Sequence, residues 1–466
     1  MLLCGGCFRL GPEYEKPELG TTVPDTFQNA PSETAPLPLL SDRWWTEFGD
    51  PVLSHTVDSV LAHNHDIEAA AARVTELRAL AKIERADRFP ELGADGAWNY
   101  RESYTKSASG DAKQVTSRFY GLSFPAFFEL DVWGRLAKGE EAAIEEVLSG
   151  QERHLAVAQT VVAEAIRLYF EIESIERRIG INLQLIDNFR RNLVFVDRRY
   201  RLGLANVLDV RQARRILAEA EAQVPALYRD LGSTQQEMRV LMGEYPTNSP
   251  SRNHPESYYQ EMADIPPGIP SFVLRQRPDI RSAESRLRSL NARVGEALAN
   301  RFPRISLTGS LGFETENLDR LFKKESHFRD LGAGITQPLF DAGRLKAGQD
   351  AAQARLDEAA AEYRQIALTA FAEVERALLT RQKERIRRSR LIDFLEEARK
   401  TQQVAENRYA RGLTGYLDVL DAQRARFRAE ENVVSVDLAL MVNRVNLYLA
   451  VGGSWGAAEI GIDRDP

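Results

Sequence analysis

The side chains able to do chemistry are few and scattered. The sequence holds six histidines and two cysteines, the latter as Cys4-Gly5-Gly6-Cys7. That spacing suits a redox pair, but no βαβ pattern follows it. Two cysteines exclude both a disulfide framework and a four-cysteine zinc site. Acylation fits better. Leu2, Leu3, Gly5 and Gly6 have the small, apolar character of residues that precede a lipid-bearing cysteine, and Cys7 is the candidate. The pattern is a stub: no basic n-region is visible, and Leu3 lies four residues before Cys7 where three is usual. An unprocessed N-terminus is the alternative. His63 and His65 are two apart on an expected helix and do not face one another, so no metal site is expected. The phosphate-cradling, dinucleotide, nucleophile-elbow and H-E-x-x-H motifs are missing, so no catalytic residue is expected and the chain does not read as an enzyme.

Three carboxylates stand out by position. Gly203 and Gly412 suit the left-handed residue that ends a helix. Asp209 and Asp418 then fall in the first turn of the next helix, where a carboxylate complements the macrodipole. Asp421 lies three residues after Asp418, so the two can share a helix face. Helix-end chemistry alone accounts for Asp209 and Asp418.

These positions belong to a duplicated chain. Arg88-Phe89-Pro90 recurs as Arg301-Phe302-Pro303, and Pro125 as Pro338, at an offset of 213. Gly134-Arg135 recurs as Gly343-Arg344 at 209, and Tyr200, Gly203, Leu208, Asp209 and Ala213 recur at 209 as Tyr409, Gly412, Leu417, Asp418 and Ala422. A register held this long marks two similar halves. The expected division is 1–51, an extended N-terminal segment with the lipid cysteine; 52–243, the first repeat; 244–271, a linker rich in Pro, Ser and Asn; 272–453, the second repeat; and 454–466, a tail.

Each half reads helix, strand, strand, long helix, turn, long helix. The first helix is expected over about 52–88 and its counterpart over about 278–301, opening at Pro278. In 92–104, Leu92, Gly96, Trp98, Tyr100 and Tyr104 alternate with Asp95, Asn99, Arg101 and Ser103. The segments 305–313, 117–124 and 329–337 complete four strands. One apolar face and one small, polar face fits a soluble sandwich or a water-filled barrel. Tyr100, Tyr104, Phe119, Tyr120, Phe127, Phe128 and Trp133 crowd the strand ends, as an interfacial girdle would. Residues 135–202 carry no proline and would span roughly 100 Å as one helix. Ile172, Ile175, Ile179, Ile186, Phe189, Leu193, Val196 and Tyr200 trace a coiled-coil seam. Four strands cannot close, and open edges in lipid leave backbone groups unpaired, so membrane strands would require copies of the chain.

The composition bounds the partners. The chain has 466 residues, 61 basic against 68 acidic, a formal charge of −7 and a pI near 5.7. A nucleic-acid binder would need a basic footprint. Hydrophobic residues make up 43% and charged residues 28%, as in ordered proteins. Mean hydropathy is −0.37 and no run of 18 apolar residues occurs, which disfavours a helical span and leaves a barrel open.

At specific stretches the sequence resembles the outer-membrane efflux proteins, the TolC-like family, in its OprM/NodT lipoprotein branch. They are LGPEYEKP at 10–17, RWWTEFGDPVL at 43–53, ELDVWGR at 129–135, the block from Ile269 to Gly312 holding RPDIR and RFPRISLTG, ITQPLFDAGR at 335–344 and YARGLTGYLDVLDAQ at 409–423. The resemblance implies an α+β membrane protein, a trimeric channel-tunnel. Four strands per chain join a shared twelve-stranded barrel, and long antiparallel coiled-coil helices form a periplasmic α-barrel. It implies a passive exit duct in the outer membrane, reaching into the periplasm and served by a periplasmic adaptor and an inner-membrane pump of the RND type or similar. Outer-membrane lipid is then a partner; apart from a lipid on Cys7, no cofactor is implied. The resemblance places Asp418 and Asp421 in acidic rings at the closed aperture, with Asp209 and Tyr409 as further gate residues. It makes Arg201, Gly203, Leu204, Arg411, Gly412 and Leu413 adaptor-facing tips. Plain seam packing of Tyr409 and plain turn chemistry at the tips remain alternatives. The competing function is a soluble coiled-coil scaffold with a small β-domain. Cargo is open among drugs, metal ions, lipids and peptides.

Overall fold

The computed structural model describes residues 10–30, 43–106, 112–247, 259, 265 and 270–453. Cys7, most of the 244–271 linker and the 454–466 tail lie outside them. The helices α1 (Pro51–His63) and α2 (His65–Ala86) precede strands β1 (Glu91–Leu92), β2 (Asp95–Lys106) and β3 (Ala112–Leu130). Helices α3 (Arg135–Arg201) and α4 (Val207–Leu241) close the first half. The second half holds α5 (Pro270–Gln276), α6 (Pro278–Ala299), β4 (Arg304–Thr315), β5 (His327–Thr336), α7 (Arg344–Ala410) and α8 (Tyr416–Ala450). The duplication is complete at the level of length: α3 and α7 have 67 residues each, and α4 and α8 have 35 each.

The first expected helix is two. Asn64 adopts an extended conformation, and its side-chain oxygen accepts from the amides of Asp66 and Ile67 at 3.0 and 3.1 Å. Its amide Nδ2 donates to the carbonyl of Leu241 at 2.9 Å. One residue therefore caps the start of α2 and pairs a carbonyl at the end of α4.

The sheet runs β1 and β2 against β3, then β4, then β5, all antiparallel. β1 and β2 are one strand interrupted opposite Pro125, which has no N–H to donate to the ladder. Four strands thus span the sheet, each about the length a tilted membrane strand needs. Register sorts the faces, because paired residues point the same way. Trp98 pairs with Tyr120, Phe124 with Leu311, and Leu307 with Ala333. That face is exposed in the single chain and apolar: Leu331 and Ile335 are 90% and 73% exposed. The other face carries Ser123, Ser306, Thr308, Ser310, Gly332 and Gly334, small enough to line a lumen. The expected girdle needs correction. Phe119 and Phe127 fall on the lumen face, opposite in parity to Tyr120 and Phe128. Trp133 packs at 5.1 Å on Phe302 and donates to the Pro303 carbonyl at 2.8 Å, pinning the barrel–helix junction.

The main core sits midway along the helices, where α3, α6, α7 and α8 converge. Trp44 stacks on Tyr448 at 4.5 Å, and Trp45 is fully buried. Asp50 caps α1 and accepts from Tyr169 at 2.6 Å. The seam from Ile172 to Val196 is buried except for a half-buried Leu193, and Tyr200 is 45% exposed, so the heptad ends before it. Among the described residues, one helix, α8, is long and apolar enough to cross a membrane by length and composition. The absence of a long apolar run had pointed away from that. Its most apolar window is 67% buried inside the chain, as a core helix requires.

Candidate functional site

The two hairpin tips are built alike. Gly203 and Gly412 both have φ near +73°, the left-handed conformation expected of them. The amide of Leu204 reaches the Arg199 carbonyl at 2.8 Å, and that of Leu413 the Arg408 carbonyl at 2.9 Å. These are Schellman closures that satisfy the last carbonyls of α3 and α7. Arg201, Gly203, Leu204, Arg411, Gly412 and Leu413 are all exposed at the turns. Arg201 is paired with Asp197 at 2.6 Å.

The helices that follow start differently. Asn206 caps α4, accepting from the Asp209 amide at 3.0 Å, while Asp209 accepts from the Asn206 amide at 3.3 Å. This reciprocal capping box accounts for Asp209. The second repeat has Gly415 at the equivalent place, which offers no side-chain cap. Asp418 instead accepts the Thr414 hydroxyl and stays exposed. Asp421 is exposed too and has no hydrogen-bond or ion-pair partner among the described residues. The helix-end explanation therefore covers Asp209 well, Asp418 partly and Asp421 not at all.

Tyr409 does not resemble its repeat partner. It is buried, where Tyr200 is exposed. Its ring lies 5.3 Å from Tyr416 and 6.2 Å from Phe195, inside a cluster with Val196, Val210, Val419 and Leu420. Seam packing is thus part of its role. Both tyrosine hydroxyls are buried without a hydrogen-bond partner. Burial, and then the nearby Asp209 charge, raise the pKa of Tyr409. Burial, then Tyr409 and Asp209, do the same for Tyr416, so both stay neutral.

Beside this apolar cluster, Arg199 joins the two tips by polar contacts. Its guanidinium sits 4.9 Å over the Tyr409 ring and donates to the Ala410 carbonyl at 3.1 Å. It also reaches the Leu204 carbonyl at 3.4 Å. A cation held at the last carbonyl of α7 complements that helix's dipole. About 30 Å further along the helices, by rise per residue, Asp437 of α8 provides a second tie. It is 1% exposed and accepts from Arg388 of α7 at 2.6 Å and Arg177 of α3 at 3.4 Å. Sequence reasoning missed Arg199, Tyr416 and Asp437. The repeat offered one signal: Arg199 recurs as Arg408 at the common offset of 209. Among the described residues, no three His, Cys, Asp or Glu groups could hold a metal ion.

Four membrane-length strands with open edges, continuous with paired helices of equal length, define one protomer of a barrel-and-tube channel. A family model described as outer membrane efflux protein matches residues 56–244 and 269–453, and the chain belongs to that family. It is 31% identical over 453 residues to the cation efflux system protein CusC of Escherichia coli, covering 97% of this chain and 96% of that one. It is 31% identical over 469 residues to the solvent efflux pump outer membrane protein SrpC of Pseudomonas putida, covering 98% of each. Among solved structures, the outer-membrane channel OprN superposes with a TM-score of 0.89 at 29% identity, over 96% of this chain and 99% of that one. The open MtrE channel of Neisseria gonorrhoeae superposes at 0.84 and 28% identity, over 96% and 98%. These neighbours are trimeric outer-membrane channel-tunnels. The protein is accordingly an α+β channel-tunnel that completes its barrel as a trimer, and it is not an enzyme. It lies in the outer membrane, extends into the periplasm, and is the exit duct of efflux systems built with an adaptor and an inner-membrane pump. The soluble scaffold is set aside.

Proposed function

We propose that the duct is closed at its periplasmic end by the α7–α8 tips and that the adaptor opens it there. The carrying observation is the asymmetry of the repeat: Asp418 and Asp421 are exposed on one face of α8, without the capping box that occupies Asp209. Three copies on a threefold axis would set six carboxylates around one aperture. Such rings attract cations and repel one another at close range. Arg199 offsets that repulsion by holding Ala410 and Tyr409 against the first hairpin. An adaptor seated on Arg201, Gly203, Leu204, Arg411, Gly412 and Leu413 would compete with this clamp. The energy would come from an inner-membrane pump of the RND type or similar.

Lipidation of Cys7 completes the reading. The Leu10 amide donates to the Trp133 carbonyl at the base of the barrel at 3.2 Å. Cys7 precedes Leu10 by three residues, a reach of about 10 Å. A lipid there would enter the inner leaflet beside the barrel. For cargo, relatives' names run from cations to solvents, which favours selection by the pump over selection by the duct. The test is the reversal potential of the trimer in a bilayer under a salt gradient. Cation selectivity that Asp418→Asn with Asp421→Asn removes supports the acidic aperture. Selectivity unchanged in the double variant refutes it.

A further inference from the structure

The strand ends far from the helices carry a charged patch that the efflux function does not use. β4 ends at Thr315 and β5 begins at His327, and the connection between them is ordered by two short 3-10 turns, Leu318–Arg320 and Lys324–Ser326. The Ser326 hydroxyl donates to the Arg320 carbonyl at 2.9 Å, and the Ser326 amide to the Lys323 carbonyl at 3.0 Å. The loop therefore has a fixed shape.

Its direction is fixed by aromatic packing. Phe313 pairs with His327 and shares the face of Leu311 and Leu331, the face turned to lipid. Phe322, at the loop's centre, meets Phe313 edge-on at 5.6 Å, and His327 meets it at 5.9 Å. The loop thus folds down over the outer wall of the barrel rather than across its mouth. Lys323 and Lys324 follow Phe322 directly, so they are carried to the outer rim, and both are exposed.

Arg329 lies just below. It pairs with Leu311 and shares the lipid face with Leu331, while its chain neighbour Asp330 points into the lumen by parity. Charge on a lipid face is tolerated only near an interface. No hydrogen bond or ion pair joins Lys323, Lys324, Arg320 or Arg329 to a carboxylate among the described residues. The loop's own acids, Glu316, Asp319 and Glu325, are three against these four cations, and none engages them. Three of these four cations, Lys323, Lys324 and Arg329, face outward beside an aromatic edge at the extracellular interface, a pattern that matches an amphiphile with anionic phosphate above acyl chains.

We propose that Lys323, Lys324 and Arg329, with Phe322, form a binding site on the outer wall for the phosphates of lipopolysaccharide, the phosphorylated glycolipid of the outer leaflet. Arg329 meets the phosphate from the barrel wall, the two lysines meet it from the loop, and Phe322 and Leu331 pack on its chains. The site would hold a shell of this lipid around the trimer independently of gating.

The test measures binding of bis-phosphorylated lipid A, and of the same lipid with both phosphates removed, to the delipidated trimer by native mass spectrometry. The native trimer should bind the phosphorylated lipid at least about tenfold more tightly. Lys323→Gln with Lys324→Gln and Arg329→Gln should abolish that preference, while Arg304→Gln, at the periplasmic strand end, should keep it. Excess inorganic phosphate should not displace the lipid. The proposal falls if the native trimer binds both lipids equally, if the triple variant keeps the preference, or if Arg304→Gln loses as much. Displacement by free phosphate would also overturn it. Arg329→Lys, which keeps the charge, guards against a folding defect: it should retain most of the preference in a heat-resistant trimer, and loss there overturns the charge-reading role.

Discussion

Arg199→Ala should unlock the tips. The side chain ties the end of α7 to α3 by a hydrogen bond to the Ala410 carbonyl at 3.1 Å and by its seat 4.9 Å above Tyr409. A hydrogen bond from a charged donor contributes about 1.5–3 kcal/mol when buried, and Arg199 is half-buried, so its lower end applies. The cation–π contact adds about 1 kcal/mol. The bond to Leu204 stays within the first hairpin and does not count toward the tie. The loss is then about 2–3 kcal/mol per protomer, or roughly 30- to 150-fold in the closed-to-open ratio of one tip. The assay is open probability of single trimers in planar bilayers, with Tyr409→Leu and the double variant completing a cycle. Arg199→Ala should open the channel strongly. Arg199→Lys should do so less, because it keeps the charge but not the fork. The double variant should fall short of the sum by about 0.5 kcal/mol or more, since the two groups touch. Native open probability in Arg199→Ala, or strict additivity in the cycle, would refute the clamp.

Other perturbations follow from the same contacts. Gly412→Ala forces a side chain into φ near +73°; the added carbon meets only Arg199, at 3.9 Å. The cost is backbone strain of about 1 kcal/mol or more, read as earlier proteolysis at the second tip with the barrel intact. Asp437→Ala removes the acceptor shared by Arg177 and Arg388, and should lower trimer stability by about 3–5 kcal/mol in thermal unfolding; Asp437→Asn should cost less. The N-terminal segment around Lys16 should loosen in acid. Lys16 pairs with Glu284 at 2.8 Å. Burial works against the Glu284 charge, but Lys16 and Arg288 outweigh it and hold the pKa below the ordinary glutamate value. Its contribution is complete above an unfolded glutamate's pKa, about 4.3, and is lost as pH falls through the lowered folded value. Limited proteolysis within residues 12–18 should therefore quicken below about pH 4, and Glu284→Gln should show the quickening already at neutral pH.

The duplication was the most legible feature of the sequence. Its constant offset of 209 required helices of equal length in both halves, and α3 matches α7 residue for residue in extent. The period of two separated lipid and lumen faces. The girdle failed where that period was ignored, since Phe119 and Tyr120 are neighbours in sequence and point opposite ways. The break at Asn64 was hidden because its second partner, the Leu241 carbonyl, lies 177 residues away. Distance in sequence hid the clamp as well: Arg199 and Ala410 are 211 residues apart, and nothing local distinguishes Arg199 from Arg198. The tip aspartates were visible because turn glycines and first-turn carboxylates are local patterns. Which of them is free was not visible, because that depends on Asn206 in one repeat and Gly415 in the other.

The central claim is a pore whose narrowest point is the acidic aperture of α8. Its most direct test is single-channel conductance of the purified trimer beside the Asp418→Ala, Asp421→Ala double variant. The account predicts a small native conductance that rises sharply in the variant. A native-sized pore in both would move the closure elsewhere, and the absence of any pore in a folded trimer would contradict the duct itself.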